Sequence, residues 1–242
     1  MRLADPFYRL DEHFAIDLPD ARAVFTTRRG GHSEGPFASL NLGLLTDDVA
    51  ERVRANQERV QRLIGVPVAR CRQVHGTDIV DTTHVPATAP QADGQITTVR
   101  GLAPMVLVAD CLPVVVAAPG AVAVLHAGWR GLAGGILAAG VRAVRERAFG
   151  APLAAAIGPG VGGCCYEVGP EVHAAFAGYG DEVHRGAKLD LKAAARQALG
   201  ASGVADVHDI GLCTMCADPG LFFSHRRDRG VTGRQAGLAW RN

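Results

Sequence analysis

The sequence carries almost no net charge, with 25 lysines and arginines against 24 aspartates and glutamates. A nucleic acid polymer is held by a basic field that this balance does not supply, so neither a duplex nor a membrane surface is expected as partner. An unbroken apolar run is missing as well. Residues 102–125 hold one charge, Asp110, over a length that would cross a bilayer, but Pro104, Pro113 and Pro119 would break a spanning helix. The pieces between them, 105–108, 114–118 and 121–125, read instead as short buried strands at the core of a sheet. Residues 1–19 carry Asp5, Asp11, Glu12 and Asp17 and lack an apolar centre, so no signal peptide is expected and the expected location is cytoplasmic. No solenoid or propeller period and no Ser/Gly-rich or charged linker divides the chain, which points to one domain over residues 1–242.

What is present suits a folded globule: 48% hydrophobic and 20% charged residues in a chain long enough to bury a sizeable core. Residues 21–27 read as a strand, followed by turns at Gly30-Gly31 and Gly35-Pro36. Asp47 or Asp48 is placed to cap a helix that runs to about Ile64, with Val49, Val53, Val60 and Leu63 on one face and Gly65 and Pro67 ending it. A second helix is expected over 132–148, rich in small residues and basic at its end. Further helices are expected near 170–177 and 189–199, and strands at 153–157 and 204–210. The fold class is therefore α+β (mixed α/β), with mixed β-sheets flanked by helices.

Three segments join a metal-capable side chain to tight glycine or proline punctuation: Gln73-Val74-His75-Gly76, Ala109-Asp110-Cys111-Leu112-Pro113 and His126-Ala127-Gly128-Trp129-Arg130-Gly131. Each follows or interrupts a strand, and strand ends hold side chains firmly at a common cleft. Two imidazoles and a thiolate would give zinc three ligands and leave the fourth tetrahedral position for water or substrate, the open arrangement of catalytic sites. Their spacing matches no short zinc-finger pattern, and each residue taken singly also fits a packed or hydrogen-bonded role. The helix expected after His126 offers an anion seat at its first amides, with Arg130 or Arg28 to complete it; for Arg130 a salt bridge at the turn is an equal reading. Arg28-Arg29 and Arg226-Arg227 are further groups suited to a small anion. The six cysteines read as reduced thiols rather than a disulfide framework. Cys213-Thr214-Met215-Cys216 forms a C-x-x-C, but no second pair stands at zinc-finger spacing, and it reads as structural.

Taken together, these segments resemble the multicopper polyphenol oxidase or laccase-domain family, often called YfiH-like. The resemblance runs from Thr26-Thr27-Arg28-Arg29-Gly30-Gly31 and Ser39-Leu40-Asn41-Leu42-Gly43 through Ala92-Asp93-Gly94 to Phe222-Phe223-Ser224-His225-Arg226-Arg227. One departure stands in Gly158-Pro159-Gly160-Val161-Gly162-Gly163-Cys164-Cys165-Tyr166-Glu167-Val168, where Gly160 and Val161 replace the family's usual cysteine and isoleucine. The resemblance implies zinc ligands at His75, Cys111 and His126, and a substrate pocket lined by Arg28 and Asn41. It implies zinc-dependent phosphorolysis of purine nucleosides, with phosphate as co-substrate and adenosine deaminase and methylthioadenosine phosphorylase side activities. A monomer or weak homo-oligomer is expected.

The proton shuttle for deamination is unassigned, because the His-x-Glu and Cys-x-x-Cys pairing of familiar zinc deaminases is missing; Asp93 and Glu167 are the candidates. Copper-dependent phenol oxidation is the alternative carried by the family name, but the nine histidines are scattered and show no His-x-His. A third reading makes Cys111 the nucleophile of an amide hydrolase acting on cell-wall precursors, with a histidine as base. A non-catalytic, partner-binding protein is the remaining class.

Overall fold

The computed structural model describes residues 3–242; Met1 and Arg2 of the N-terminal stretch lie outside the described residues. Among the described residues there are fourteen strands: β1 (Tyr8–Leu10), β2 (His13–Leu18), β3 (Ala21–Phe25), β4 (Val68–Arg70), β5 (Ile79–Asp81), β6 (Gly94–Thr97), β7 (Ala103–Val108), β8 (Leu112–Ala118), β9 (Ala121–Ala127), β10 (Ala154–Ile157), β11 (His184–Arg185), β12 (Lys188–Leu189), β13 (Asp206–Asp209) and β14 (Gln235–Arg241). Five α-helices accompany them: α1 (Ala50–Ile64), α2 (Trp129–Ala133), α3 (Ile136–Arg147), α4 (Pro170–Ala175) and α5 (Leu191–Ala201). One six-stranded sheet runs β1-β2-β3-β14-β7-β4, a second runs β13-β10-β8-β9-β6-β5, and β11 and β12 form a small hairpin. The expected mixed α+β class is what the chain adopts.

The two sheets pack face to face, because their strands are apolar on both sides. Phe14, Ile16, Phe25 and Val106 from the first sheet meet Val115, Ala117, Val122, Val124 and Ala156 from the second. Alternate residues of the second sheet, Val114, Val116, Ala123 and Leu125, face outward onto Leu137, Val141 and Val144 of α3 and Leu199 of α5. The outer face of the first sheet, with Val24, Met105 and Leu238, is covered by Leu40, Leu42 and Val60. This layering explains the nearly continuous apolar strands of residues 102–125, which are doubly buried. No described helix is long and apolar enough to span a bilayer.

The helix expected over 132–148 is in fact two. Gly134 and Gly135 break it, Gly135 in the left-handed region at φ 92°, so that α2 holds only five residues and α3 starts afresh at Ile136. The small residues of α3 do the work expected of them: a Cβ on Gly140 would stand 2.4 Å from Leu125 Cδ1, so the helix lies directly on the sheet. In α1 the buried face is Val53, Asn56, Gln57 and Val60, whereas Val49 is exposed and Leu63 half-buried. Asn56 and Gln57 are inside because their amides satisfy the carbonyls of Ser39, Asn41 and Leu42.

Candidate metal centre

Strand pairing brings the three candidate ligands together. The β8–β9 hairpin turns at Pro119-Gly120 and pairs Leu112 with Ala127 and Pro113 with His126, so Cys111, one residue before β8, lies beside the end of β9. Strand β6 pairs on the other side of β9, Gly94 opposite Leu125, and Asp93 just ahead of it accepts the His126 N–H at 2.7 Å through its carbonyl. His75 arrives on the loop between β4 and β5. The Gln73 side chain holds that loop by bonding the Leu107 carbonyl and N–H, both at 2.8 Å, as a strand rung would.

In the resulting cluster the ligand atoms of His75, Cys111 and His126 all lie within 4.8 Å of one another. The imidazole rings sit edge to face with centroids 4.8 Å apart. His126 is buried, Cys111 half-buried and His75 exposed, so the cluster opens to solvent on the His75 side. Gly128 leaves room there: a Cβ at that position would stand 3.0 Å from both Cys111 Sγ and His75 Cδ2.

One fully buried carboxylate organises both histidines. Asp93 Oδ1 lies 2.7 Å from His126 Nδ1, which leaves Nε2 as the nitrogen free to coordinate. The same carboxylate accepts the N–H groups of Val74 at 3.0 Å, His75 at 2.9 Å and Gly76 at 2.7 Å, and so stabilises the left-handed backbone of His75 at φ 62°. Asp110 is a second non-glycine residue in that region, at φ 87°. Its carboxylate accepts the Thr214 hydroxyl at 2.6 Å and the Arg226 N–H at 2.7 Å, and this fixes the residue that presents Cys111.

Electrostatics favour a charged pair in the metal-free protein. Burial opposes ionisation of the Cys111 thiol, but His126 and His75 outweigh it and bring the thiol down to about 6. Burial likewise disfavours the His126 imidazolium, yet Cys111 and Asp93 lift it to about 9. Two nitrogens and one thiolate, backed by a carboxylate and left open on one side, fit a tetrahedral metal ion with an available position.

The remaining sequence candidates fall differently. Every guanidinium nitrogen of Arg28 bonds a backbone carbonyl: Nε to Ala38 at 2.5 Å, one terminal nitrogen to Pro219 at 3.1 Å and the other to Pro36 at 3.3 Å, over the Phe223 ring. Asn41 is fully buried, with Nδ2 on Thr46 and Asp48 and Oδ1 accepting the Gly43 and Arg234 N–H groups. Arg130 is exposed, stacked on Trp129 and without an ion pair among the described residues, so the salt-bridge reading of it does not hold. Because α2 is a single short turn of helix, the anion seat expected from a long helix after His126 loses its basis. Glu167 meets Arg226 through its backbone carbonyl, at 2.9 Å.

Two groups that sequence reasoning did not single out stand near Cys111. Arg234 is half-buried, and the negative charges of Cys111 and Asp110 counter the burial that depresses its guanidinium. Tyr166 is buried; burial raises its phenol, Cys111 raises it further, and Arg226, stacked on its ring at 4.9 Å, pulls it down. A cleft of about 630 Å³ begins at Thr77, two residues beyond His75, and follows α3 to Arg147, but none of the three candidate ligands lines it. Cys164, Cys165, Cys213 and Cys216 also come together, and all six cysteines are free thiols.

The family model described as multi-copper polyphenol oxidoreductase laccase matches residues 22–242. Among curated relatives, the protein named purine nucleoside phosphorylase YlmD of Geobacillus stearothermophilus is 40% identical over 241 residues, 88% of each chain. One named purine nucleoside phosphorylase from Xylella fastidiosa is 40% identical, over 92% of this chain and 93% of its own. The crystal structure of Geobacillus stearothermophilus YlmD superposes with a TM-score of 0.91 at 37% identity, covering 99% of this chain and all of that one. That of Bacillus licheniformis YfiH, titled a hypothetical protein, gives 0.90 at 34% identity, covering 99% of this chain and 100% of its own.

Proposed function

Because this chain belongs to the multi-copper polyphenol oxidoreductase laccase family, and curated relatives along most of its length are named purine nucleoside phosphorylases, we propose that it is a zinc-dependent purine nucleoside phosphorylase. Inosine, adenosine and guanosine are its substrates in this reading, with adenosine deamination and methylthioadenosine phosphorolysis as side activities. The observation that carries it is the open cluster of His75, Cys111 and His126, braced by Asp93.

His126 Nε2, His75 and the Cys111 thiolate are the proposed zinc ligands, and the missing side chain of Gly128 leaves the room they need. Zinc bound there would polarise a substrate oxygen and acidify a water at its open position. The protein's own part is electrostatic. In phosphorolysis a phosphate oxygen bonds the ribose C1′ while the glycosidic bond breaks, and the purine leaves with the electron pair and takes up a proton. Arg234, beside Cys111 and Asp110, and Arg226, whose guanidinium lies over Tyr166, serve as cations for the phosphate, and the exposed Arg130 is free to join them. Asn41 serves this site through Arg234, whose N–H it holds, and Arg28 through the 219–223 segment it braces. Asp93 keeps His126 in one tautomer and orientation.

A trinuclear copper centre would need grouped histidines, and among the described residues the other metal-capable group contains only cysteine, which favours the zinc reading. The test is product analysis of inosine, adenosine and 5′-methylthioadenosine with and without phosphate, alongside metal analysis. The expected products from inosine are hypoxanthine and ribose 1-phosphate, strictly dependent on phosphate, and Cys111→Ala is expected to lose both metal and turnover. A fully active Cys111→Ala enzyme, or phenol oxidation that tracks stoichiometric copper in a protein inert with zinc, overturns the proposal.

A further inference from the structure

A second group of thiols assembles from two loops that are distant in sequence. Strands β10 and β13 pair in parallel, Ile157 opposite Asp209, and the bridge between Gly160 and Cys213 carries the alignment past their ends. The loop after β10, with Cys164 and Cys165, therefore lies against the loop after β13, with Cys213 and Cys216. All four sulfurs fall within 4.8 Å of one another, and Cys164 Sγ and Cys216 Sγ are 3.4 Å apart. A tetrahedral zinc with bonds of about 2.3 Å holds its sulfurs about 3.8 Å apart, inside the range these thiols already occupy.

Two further observations point to a cation rather than to packing. The Cys213 sulfur receives the Gly162 N–H at 3.2 Å, so the first cysteine of the C-x-x-C accepts an amide donor as a metal-bound thiolate does. Four thiolates around a divalent ion also leave a net negative charge. Two ammonium groups sit beside it: Lys188 Nζ bonds the Cys164 carbonyl at 2.8 Å, and the buried Lys192 Nζ bonds the Leu212 carbonyl at 2.6 Å.

We propose that Cys164, Cys165, Cys213 and Cys216 form a second zinc site, a closed tetrathiolate of structural type. Neither the chemistry at His75, Cys111 and His126 nor the metal there enters this assignment. The site fastens the two loops that grip the segment before β8. Val161 N–H donates to the Asp110 carbonyl at 2.8 Å, and Thr214, inside the C-x-x-C, donates its hydroxyl to the Asp110 carboxylate. The tetrathiolate thus braces the backbone that presents Cys111.

The test counts metal by elemental analysis in protein purified from zinc-supplemented cells. Cys111→Ser, which empties the His75 site, is expected to keep about one zinc per chain, and its cobalt-substituted form is expected to show the strong thiolate charge-transfer and tetrahedral visible bands of a sulfur-rich site. Adding Cys213→Ser and Cys216→Ser is expected to reduce zinc to none. The proposal is overturned if Cys111→Ser protein holds no zinc, if the triple variant keeps the same zinc, or if non-reducing mass analysis of alkylated wild-type protein finds these thiols paired as disulfides. The cobalt spectrum of Cys111→Ser decides the question even if the triple variant fails to fold.

Discussion

The Asp93 carboxylate meets His126 Nδ1 at 2.7 Å while also receiving three consecutive backbone N–H groups, from Val74 to Gly76. One buried charge thereby sets the tautomer of one proposed ligand and the backbone of another. Asp93→Asn removes that charge and turns an N–H donor toward groups that are themselves donors, so at least one of the four bonds becomes a clash. Metal affinity is expected to fall about 10- to 100-fold, the usual cost of losing a partner behind a ligating histidine. Competition against a chromogenic chelator measures this, and an unchanged affinity would refute the role given to Asp93.

The His75, Cys111 and His126 cluster was legible in the sequence because glycine and proline mark strand ends, and the β8–β9 hairpin is local: a Pro119-Gly120 turn between two apolar strands fixes its register. What sequence could not supply is pairing at long range. The parallel alignment of β10 with β13 turns the adjacent Cys164-Cys165 and the C-x-x-C from unrelated features into one cluster. Arg234 was invisible for the same reason, since it nears Cys111 only through the central position of β14 in the first sheet. Arg28 and Asn41 show the reverse. Their motif pointed to substrate, yet the fold spends their polar atoms on carbonyls, hydroxyls and N–H groups of its own loops.

The metal-free site has a defined proton count. With Cys111 depressed to about 6 and His126 raised to about 9, the folded protein holds thiolate and imidazolium together between those values. The depressed thiol contributes stability that is lost as pH falls through about 6; the raised imidazole contributes stability that is lost as pH rises through about 9. Between about pH 6.5 and 9 the unfolded chain carries its proton on sulfur and the folded chain on nitrogen, so both bind the same number. This pair is therefore expected to leave stability flat in that window, while metal binding releases about one proton from His126. The ultraviolet absorbance of the thiolate in metal-free protein, followed against pH with Cys111→Ser as the blank, checks the pair, and a Cys111 thiol still protonated at pH 7.5 would contradict it.

Gly128→Ala separates the site from the fold. The backbone at this position has φ −73°, which alanine adopts freely, so the only objection to a side chain is its 3.0 Å approach to Cys111 Sγ and His75 Cδ2. Crowding of this kind costs about 1–3 kcal/mol. In the metal-free variant the exposed His75 ring swings aside and relieves the crowding, so unfolding is expected close to the wild-type temperature, while bound zinc would hold both side chains in place and its affinity is expected to fall about tenfold or more. Equal losses in both measurements would show that the glycine serves the fold instead.

Thr214→Val tests how the second thiol cluster communicates with Cys111. The valine keeps the shape of the side chain but withdraws a hydroxyl that sits 2.6 Å from the buried Asp110 carboxylate. Hydrogen bonds to charged groups contribute about 1.5–3 kcal/mol. For a chain of this size the melting temperature is expected to drop by about 3–10 °C. A variant that melts unchanged would mean that Asp110 is held adequately by the Arg226 N–H alone.

Arg234→Met addresses the phosphate. The arginine is anchored by its own backbone N–H on Asn41 Oδ1 and by guanidinium bonds to the Thr232 and Gly233 carbonyls, so its position is set before any ligand arrives. Burial lowers its pKa, but Cys111 and Asp110 oppose that shift, and it enters the site as a cation. Methionine retains much of the packing and removes the charge. If Arg234 binds the co-substrate, the KM for phosphate is expected to rise about 10-fold or more, in keeping with the loss of one charge-assisted hydrogen bond, while the KM for inosine stays within about twofold. Arg234→Lys is expected to recover part of the loss, because a point charge without the planar fork still attracts phosphate. A parallel rise in both KM values, or none in either, would place the phosphate elsewhere, with Arg226 or the exposed Arg130 as the next side chain to vary.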